Sequence, residues 1–159
     1  MGELKNRGRT EIGEIQNNFQ EIRQSGEQSL AEKTENVQVF RSVEGVDDDD
    51  KSAIEDGKNN IQEIAAQIAE STMETPKNAV NERADGTIAE MEEYAGREQT
   101  EATAISAMNG NYGAVGSSLE QQFTQSATEF SDIASSGKEI KQSSNEAIDA
   151  IIQGMNADF

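Results

Sequence analysis

Residues 117–155 read SSLEQQFTQSATEFSDIASSGKEIKQSSNEAIDAIIQGM, and one stripe runs through them: Leu119, Phe123, Ser126, Phe130, Ile133, Gly137, Ile140, Ser144, Ala147, Ile151 and Met155. The steps of three and four place all of these positions on one face of an α-helix. The same spacing recurs upstream at Ile12, Ile15, Phe19, Ile22, Gly26, Leu30, Lys33, Val37 and Phe40. It appears again at Ile54, Ile61, Ile64, Ala65 and Ile68, and at Val80, Ala84, Ile88, Met91, Ala95, Ala102, Ile105 and Met108. No stretch of four or more residues shows the β-branched alternation of a strand. The reading is an all-α chain, an elongated antiparallel helical hairpin or bundle with coiled-coil-like seams.

Punctuation divides the chain at 75/76. Residues 1–75 hold two helices with an acidic break at 45–51, which contains Asp47, Asp48, Asp49 and Asp50. Ser52 and Glu55 then have the spacing of a capping box, in which hydroxyl and carboxylate satisfy two free amides. The second helix is expected to stop before Pro76, the only proline, with Thr75 as N-cap and Pro76 at the first helical position of a third helix. Residues 76–159 then form a long hairpin whose turn lies at 109–116, where Gly110, Gly113 and Gly116 supply turn chemistry and Ser117 and Glu120 repeat the capping box.

Composition narrows the function. Leu, Ile, Val and Phe total 28 of 159 residues, below the roughly 20% at which high net charge begins to suggest disorder. The formal charge of −18 repels nucleic acid and anionic membranes, since binding either needs clustered Lys and Arg. Without His, Cys or Trp, the chain lacks the commonest general base, the thiolate nucleophile and most transition-metal ligands. The Asp47–Lys51 run fails as an EF-hand, because Ser52 stands where Gly is needed and Lys58 where Glu is needed. No enzyme activity, metal or cofactor is expected. No apolar run approaches the ~20 residues that span a bilayer. The first twenty residues lack the apolar core of a cleavable signal peptide, so any export would use a signal-independent route; a cytoplasmic location is the alternative.

Two segments place an aromatic and a carboxylate four residues apart on one helix face: Tyr94 with Glu98, and Phe40 with Glu44. They are candidates for an exposed recognition or export patch; the plainer reading is an aromatic at a helix interface beside a solubilising Glu. Seam positions such as Ser126, Gly137 and Ser144 bury little area, which predicts a marginal monomer that folds against a partner chain. Phe123, Phe130, Ile133 and Ile140 are the candidate interface.

Long acidic helices, a glycine-bearing turn at Asn111-Tyr112-Gly113-Ala114 and the Tyr94-Ala-Gly-Arg-Glu98 segment make the chain resemble the helical-hairpin substrates and targeting partners of Gram-positive type VII secretion. Members of that family carry a Trp-x-Gly turn and a Tyr-x-x-x-Asp/Glu signal after the second helix. Here Tyr112 stands in place of Trp, Gly113 comes one position early, and Tyr94 precedes the turn. The resemblance covers residues 78–159 best. It implies a non-enzymatic protein secreted by, or escorting a larger toxin through, such a system, with a helical toxin domain as partner. The alternative is a structural coiled-coil rod or scaffold subunit that self-associates; Asn60-Ile-Gln-Glu-Ile-Ala-Ala-Gln-Ile-Ala69 is similar to chemoreceptor rods.

Overall fold

A computed structural model describes residues 2–43 and 50–158, and the side chains among them other than those of residues 43 and 109–112. The described chain is all-α and contains no strand. Helix α1 spans Gly2–Val43, α2 Lys51–Ile68, α3 Thr75–Ala107 and α4 Asn109–Asn156, with a π-helical stretch, Ala69–Glu74, joining α2 to α3. Glu3 in the first turn and Arg41 in the last turn of α1 each suit the helix dipole.

Pro76 does not separate two helices. The backbone at Ala69 and Thr75 is helical, and the Thr75 amide donates to the Glu70 carbonyl, five residues back. Proline removes the amide that would bond to the carbonyl four residues earlier, and its ring presses on that carbonyl in an α-helix. A wider π turn just before the proline absorbs the conflict and lets the helix continue. The first capping box is likewise absent: α2 already begins at Lys51, its N-cap Asp50 makes no side-chain cap bond, and Ser52 lies inside the helix. Downstream, the residues around Ser117 are helical from 114 onward. Between α3 and α4 the Met108 amide donates to the Ile105 carbonyl (3.0 Å). Gly113 then interrupts α4 with φ 53° and ψ −131°, a conformation that L side chains rarely adopt.

The contacts group into two compact units that do not follow the 75/76 boundary. Unit 1 is Met1–Gln16 with Asn81–Gln142; unit 2 is Asn17–Val80 with Ser143–Phe159. Each unit therefore draws on both halves of the sequence.

In unit 1 the N-terminal part of α1 packs on the α3–α4 hairpin. Its core is Ile12, Ile15, Ala84, Ile88, Met91, Ala102, Ala127, Phe130, Ile133 and Ala134. Gly8 is where the three helices meet closely: a Cβ there would strike the Met91 thioether and lie 3.4 Å from Ile133. Gly137 plays the converse part, receiving Ile12 from α1 and Ile88 from α3. Ion pairs line the outside, Arg83 with Glu11 (2.5 Å) and Glu14 (2.6 Å), Lys141 with Asp85 (2.6 Å), Arg7 with Glu90, and Lys138 with Glu92.

Unit 2 has its own core of Phe19, Ile22, Ala65, Ala69, Met73, Ile148, Ile151 and Met155. Gly26 meets Met73 and Ile151, and Leu30 lies against Gly154. Two buried lysines fasten it. Lys33 Nζ donates to the carbonyls of Gly154, Met155 and Ala157 at 3.0, 2.8 and 2.7 Å, capping the C-terminus of α4. Burial holds its pKa below the ordinary lysine value. Lys77 pairs with Asp149 (2.7 Å) and Glu74 (3.1 Å). Burial alone would depress its pKa; the hydrogen bonds to both carboxylates more than offset that and leave it raised.

Candidate binding surface

The helix register of unit 1 decides what is covered. The rings of Tyr94 and Phe130 are 5.4 Å apart, Met91 meets Ile133 across Gly8, and Ile88 meets Gly137. Continuing this antiparallel register one layer toward the turn sets Glu98 opposite Ser126. On α1, Gly8 lies in the Met91 layer and Lys5 in the Phe130 layer, with its ammonium 5.2 Å from the ring centroid. The first turn of α1 is therefore level with Glu98 and Ser126.

Beyond that layer α3 and α4 continue as a pair. Ala102 is still buried, and Ile105 and Phe123 are half-buried. Leu119 is 40% exposed, Met108 44% and Val115 67%. These three are most of the exposed large hydrophobic residues described; the others are Val39 and Ile64, both in unit 2. Between Arg97 and Lys138 the sequence has no basic residue, while the exposed Glu101 and half-buried Glu120 lie along the hairpin end. The arrangement is an apolar end with an acidic border.

Tyr94 and Glu98 do not form an exposed patch. The α3 stripe runs Ala84, Ile88, Met91, Ala95, Glu98, Ala102, so the face shared by Tyr94 and Glu98 turns inward. Glu98 is 5% exposed, and its Oε2 and the Ser126 Oγ are both buried without a hydrogen-bond partner. Burial is the chief cause that raises the Glu98 pKa; the nearby Glu101 charge adds to it and Lys5 partly opposes it. Lys5 itself is paired with Glu129 at 2.7 Å. The Tyr94 hydroxyl donates to Glu90 (2.9 Å), and Arg97 lies over the ring at 5.8 Å.

The other expected sites divide as follows. Phe40 is half-buried, with its ring against Gly57 of α2, and Glu44 lies outside the described residues. Phe130 is fully buried and Ile133 is 6% exposed, so both belong to the core of unit 1 and not to an interface with another chain. They are covered because three stripes converge there, α1 included. Phe123 is half-buried toward the hairpin end. Ile140 is half-buried in a groove of about 440 Å³ that Ile12, Gly13, Ile133 and Ser136 also line.

The α3–α4 end was hidden because Met108 and Leu119 read as ordinary stripe positions.

Among the described residues no group of three or more carboxylates could hold a metal ion, and no helix is long and apolar enough to cross a membrane. No family model, no curated protein and no solved structure matches the chain.

Proposed function

We propose that this chain is a non-enzymatic helical protein whose work is to bind another protein. One observation carries the reading: Met108, Val115 and Leu119, on either side of the α3–α4 turn in unit 1, are all exposed, whereas most of the other large apolar side chains among the described residues are buried or half-buried. Apolar side chains clustered at one place on a monomer's surface, with a polar border, are the usual mark of a protein-interaction site.

The narrower role implied by the resemblance is escort or substrate in a type VII-like secretion system. The all-helical hairpin supports it, whereas the burial of Glu98 weighs against Tyr94 and Glu98 as a signal read from the folded protein. A scaffold subunit is the competing reading, favoured by the small-residue seams at Gly8, Gly26 and Gly137.

The test is site-specific photocrosslinking in the native host, with the reactive amino acid at Val115 or, as control, at the exposed Gly86. A defined adduct with a different protein from position 115 and none from 86 supports the binding reading; its appearance in the medium along with that protein supports secretion. Adducts of the chain with itself would favour the scaffold. Absence of adducts from 115 would overturn the proposed surface.

A further inference from the structure

We infer that the groove between α1 and α4 in unit 1 is a docking site for an amphipathic helix of a partner protein, whose apolar stripe is flanked by basic residues on one side and acidic residues on the other. This surface is separate from the hairpin end and stands or falls without it.

The groove follows from the register of two helices. Ile133 lies beside Gly8, and Ile12 beside Gly137, so α1 and α4 run parallel. Arg9, Gly13 and Gln16 share one face of α1, while Ile133, Ser136 and Ile140 share one face of α4. Between these faces is the groove of about 440 Å³, which extends roughly 10 Å along α1 and roughly 16 Å along α4, from Glu129 to Ile140. Ile12, Ile133 and Ile140 supply its apolar lining. Two or three turns of another helix, presenting apolar residues three and four apart, match that length.

Gly13 gives the second observation. Gly8 and Gly137 make room for Met91, Ile12 and Ile88, whereas a Cβ at Gly13 would meet nothing within 4 Å. Packing among the described residues therefore does not require this glycine, and inside a helix it is less stable than alanine. What it provides is bare backbone in the wall of the groove, where the ridge of another helix can approach closely.

Charge specifies the partner. Arg9 and Asp132 line the groove on opposite helices, and among the described residues neither forms an ion pair; Arg9 bonds only to Asn6, at 3.4 Å. Glu139 is exposed on the Asp132 side of α4. The other carboxylates nearby are engaged, Glu129 with Lys5, and Glu11 and Glu14 with Arg83 of α3. A helix with Lys or Arg along the flank that faces α4, and Asp or Glu toward Arg9, satisfies both walls. A second copy of this chain would bring its own acidic α4 wall and a formal charge of −18 against the first. An aliphatic chain would leave both charges unpaired.

The experiment uses the full-length chain and a stapled helical peptide of about 14 residues, roughly 21 Å long. It carries a Leu stripe with Lys on one flank and Glu on the other, and has no net charge. One control peptide has the same composition with the stripe scrambled; a second has Glu on both flanks. Binding is followed by fluorescence anisotropy. The first peptide is expected to bind and the controls not. Ser136→Phe, which fills the groove from an exposed position, should weaken binding by about tenfold or more, and Asp132→Asn and Arg9→Gln by about threefold each. Gly13→Ala separates docking from stability: it should raise the melting temperature by a few degrees and yet weaken binding about threefold. Gly86→Ala should raise the melting temperature as much and leave binding unchanged, as should Val115→Ser with Leu119→Ser for binding. Circular dichroism checks that each variant keeps its fold.

Failure of the first peptide to bind, equal binding by the scrambled peptide, or binding that ignores both Ser136→Phe and Gly13→Ala overturns the proposal. Self-association in sedimentation that Ser136→Phe abolishes also overturns it, by making a second copy the occupant.

Discussion

Unit 1 and unit 2 are each organised around the same three-residue layer. In unit 1 it is Gly8, Met91 and Ile133; in unit 2 it is Gly26, Met73 and Ile151. The members lie eighteen residues apart in each of the three positions, which is five turns of an α-helix. In both layers the missing Cβ of a glycine makes room for a methionine, whose flexible thioether fills an irregular gap. The units differ in how their ends are finished. In unit 2 the end of α4 is tied down by three hydrogen bonds from Lys33. In unit 1 the hairpin end carries exposed Met108, Val115 and Leu119 and a buried carboxylate without a full set of partners. Similar cores thus support one end fastened by hydrogen bonds and one that leaves apolar side chains exposed.

The largest effect expected is at the centre of unit 1. Phe130→Ala removes a fully buried ring that Tyr94 and Lys5 both touch, and should cost about 3–5 kcal/mol in denaturant unfolding. The half-buried Phe123→Ala should cost less than half of that. Equal losses would mean that the hairpin end is as well packed as the layers below it.

Next in size is the fastening of unit 2. Lys33→Met keeps the aliphatic stem but leaves three carbonyls without their donor, for a loss of about 2 kcal/mol. Amide hydrogen exchange should then quicken at the end of α4 and stay unchanged at the α3–α4 turn.

Glu98 gives a smaller effect with a definite sign. Its folded pKa lies above the unfolded value, so the folded state takes up a proton more readily than the unfolded chain. The penalty from Glu98 is greatest above its folded pKa and disappears as pH falls toward the ordinary glutamate value. Glu11 and Glu129, whose pKa values are lowered first of all by hydrogen bonds from Arg83 and Lys5, act in the opposite sense and lose their contribution only at lower pH. Glu98→Gln should raise the melting temperature at neutral pH by a few degrees and remove the difference from wild type in mild acid. A lower melting temperature for the variant at neutral pH would show the carboxylate to be stabilising.

The smallest effects separate the two kinds of glycine. Gly137→Ala places a methyl group 2.7 Å from Ile12 and 2.9 Å from Ile88 and should destabilise by about 1–2 kcal/mol. Gly86→Ala and Gly96→Ala meet nothing within 4 Å and should each stabilise by about 0.5–1 kcal/mol through helix propensity. A melt that is independent of protein concentration across these variants would also remove the expectation of a partner-dependent fold, which the in-chain burial of Phe130 already weakens.

The helical period was legible residue by residue. From Ile12 to Phe40 each stripe position is buried or half-buried, including Gly26 and Lys33, which hydropathy alone would have placed outside. What failed was local chemistry overridden by packing. The spacing puts Ile64 on the inner face, but Ile61, Ala65 and Ile68 occupy it and leave Ile64 55% exposed. Pro76 signals a break because its missing amide is visible in the sequence and the compensating π turn is not. As a glutamate, Glu98 suggests an exposed position, but its spacing from Met91 and Ala102 places it in the stripe. The apolar hairpin end needed the register between helices, which no single stripe contains.

Hydrogen exchange of the free chain tests the contrast between the two ends most directly. Amides at 99–107 and 114–125 should exchange faster than those at 84–96 and 127–137, and faster than those at the end of α4 that Lys33 caps. Protection at the hairpin end equal to that of the layers below would contradict the account.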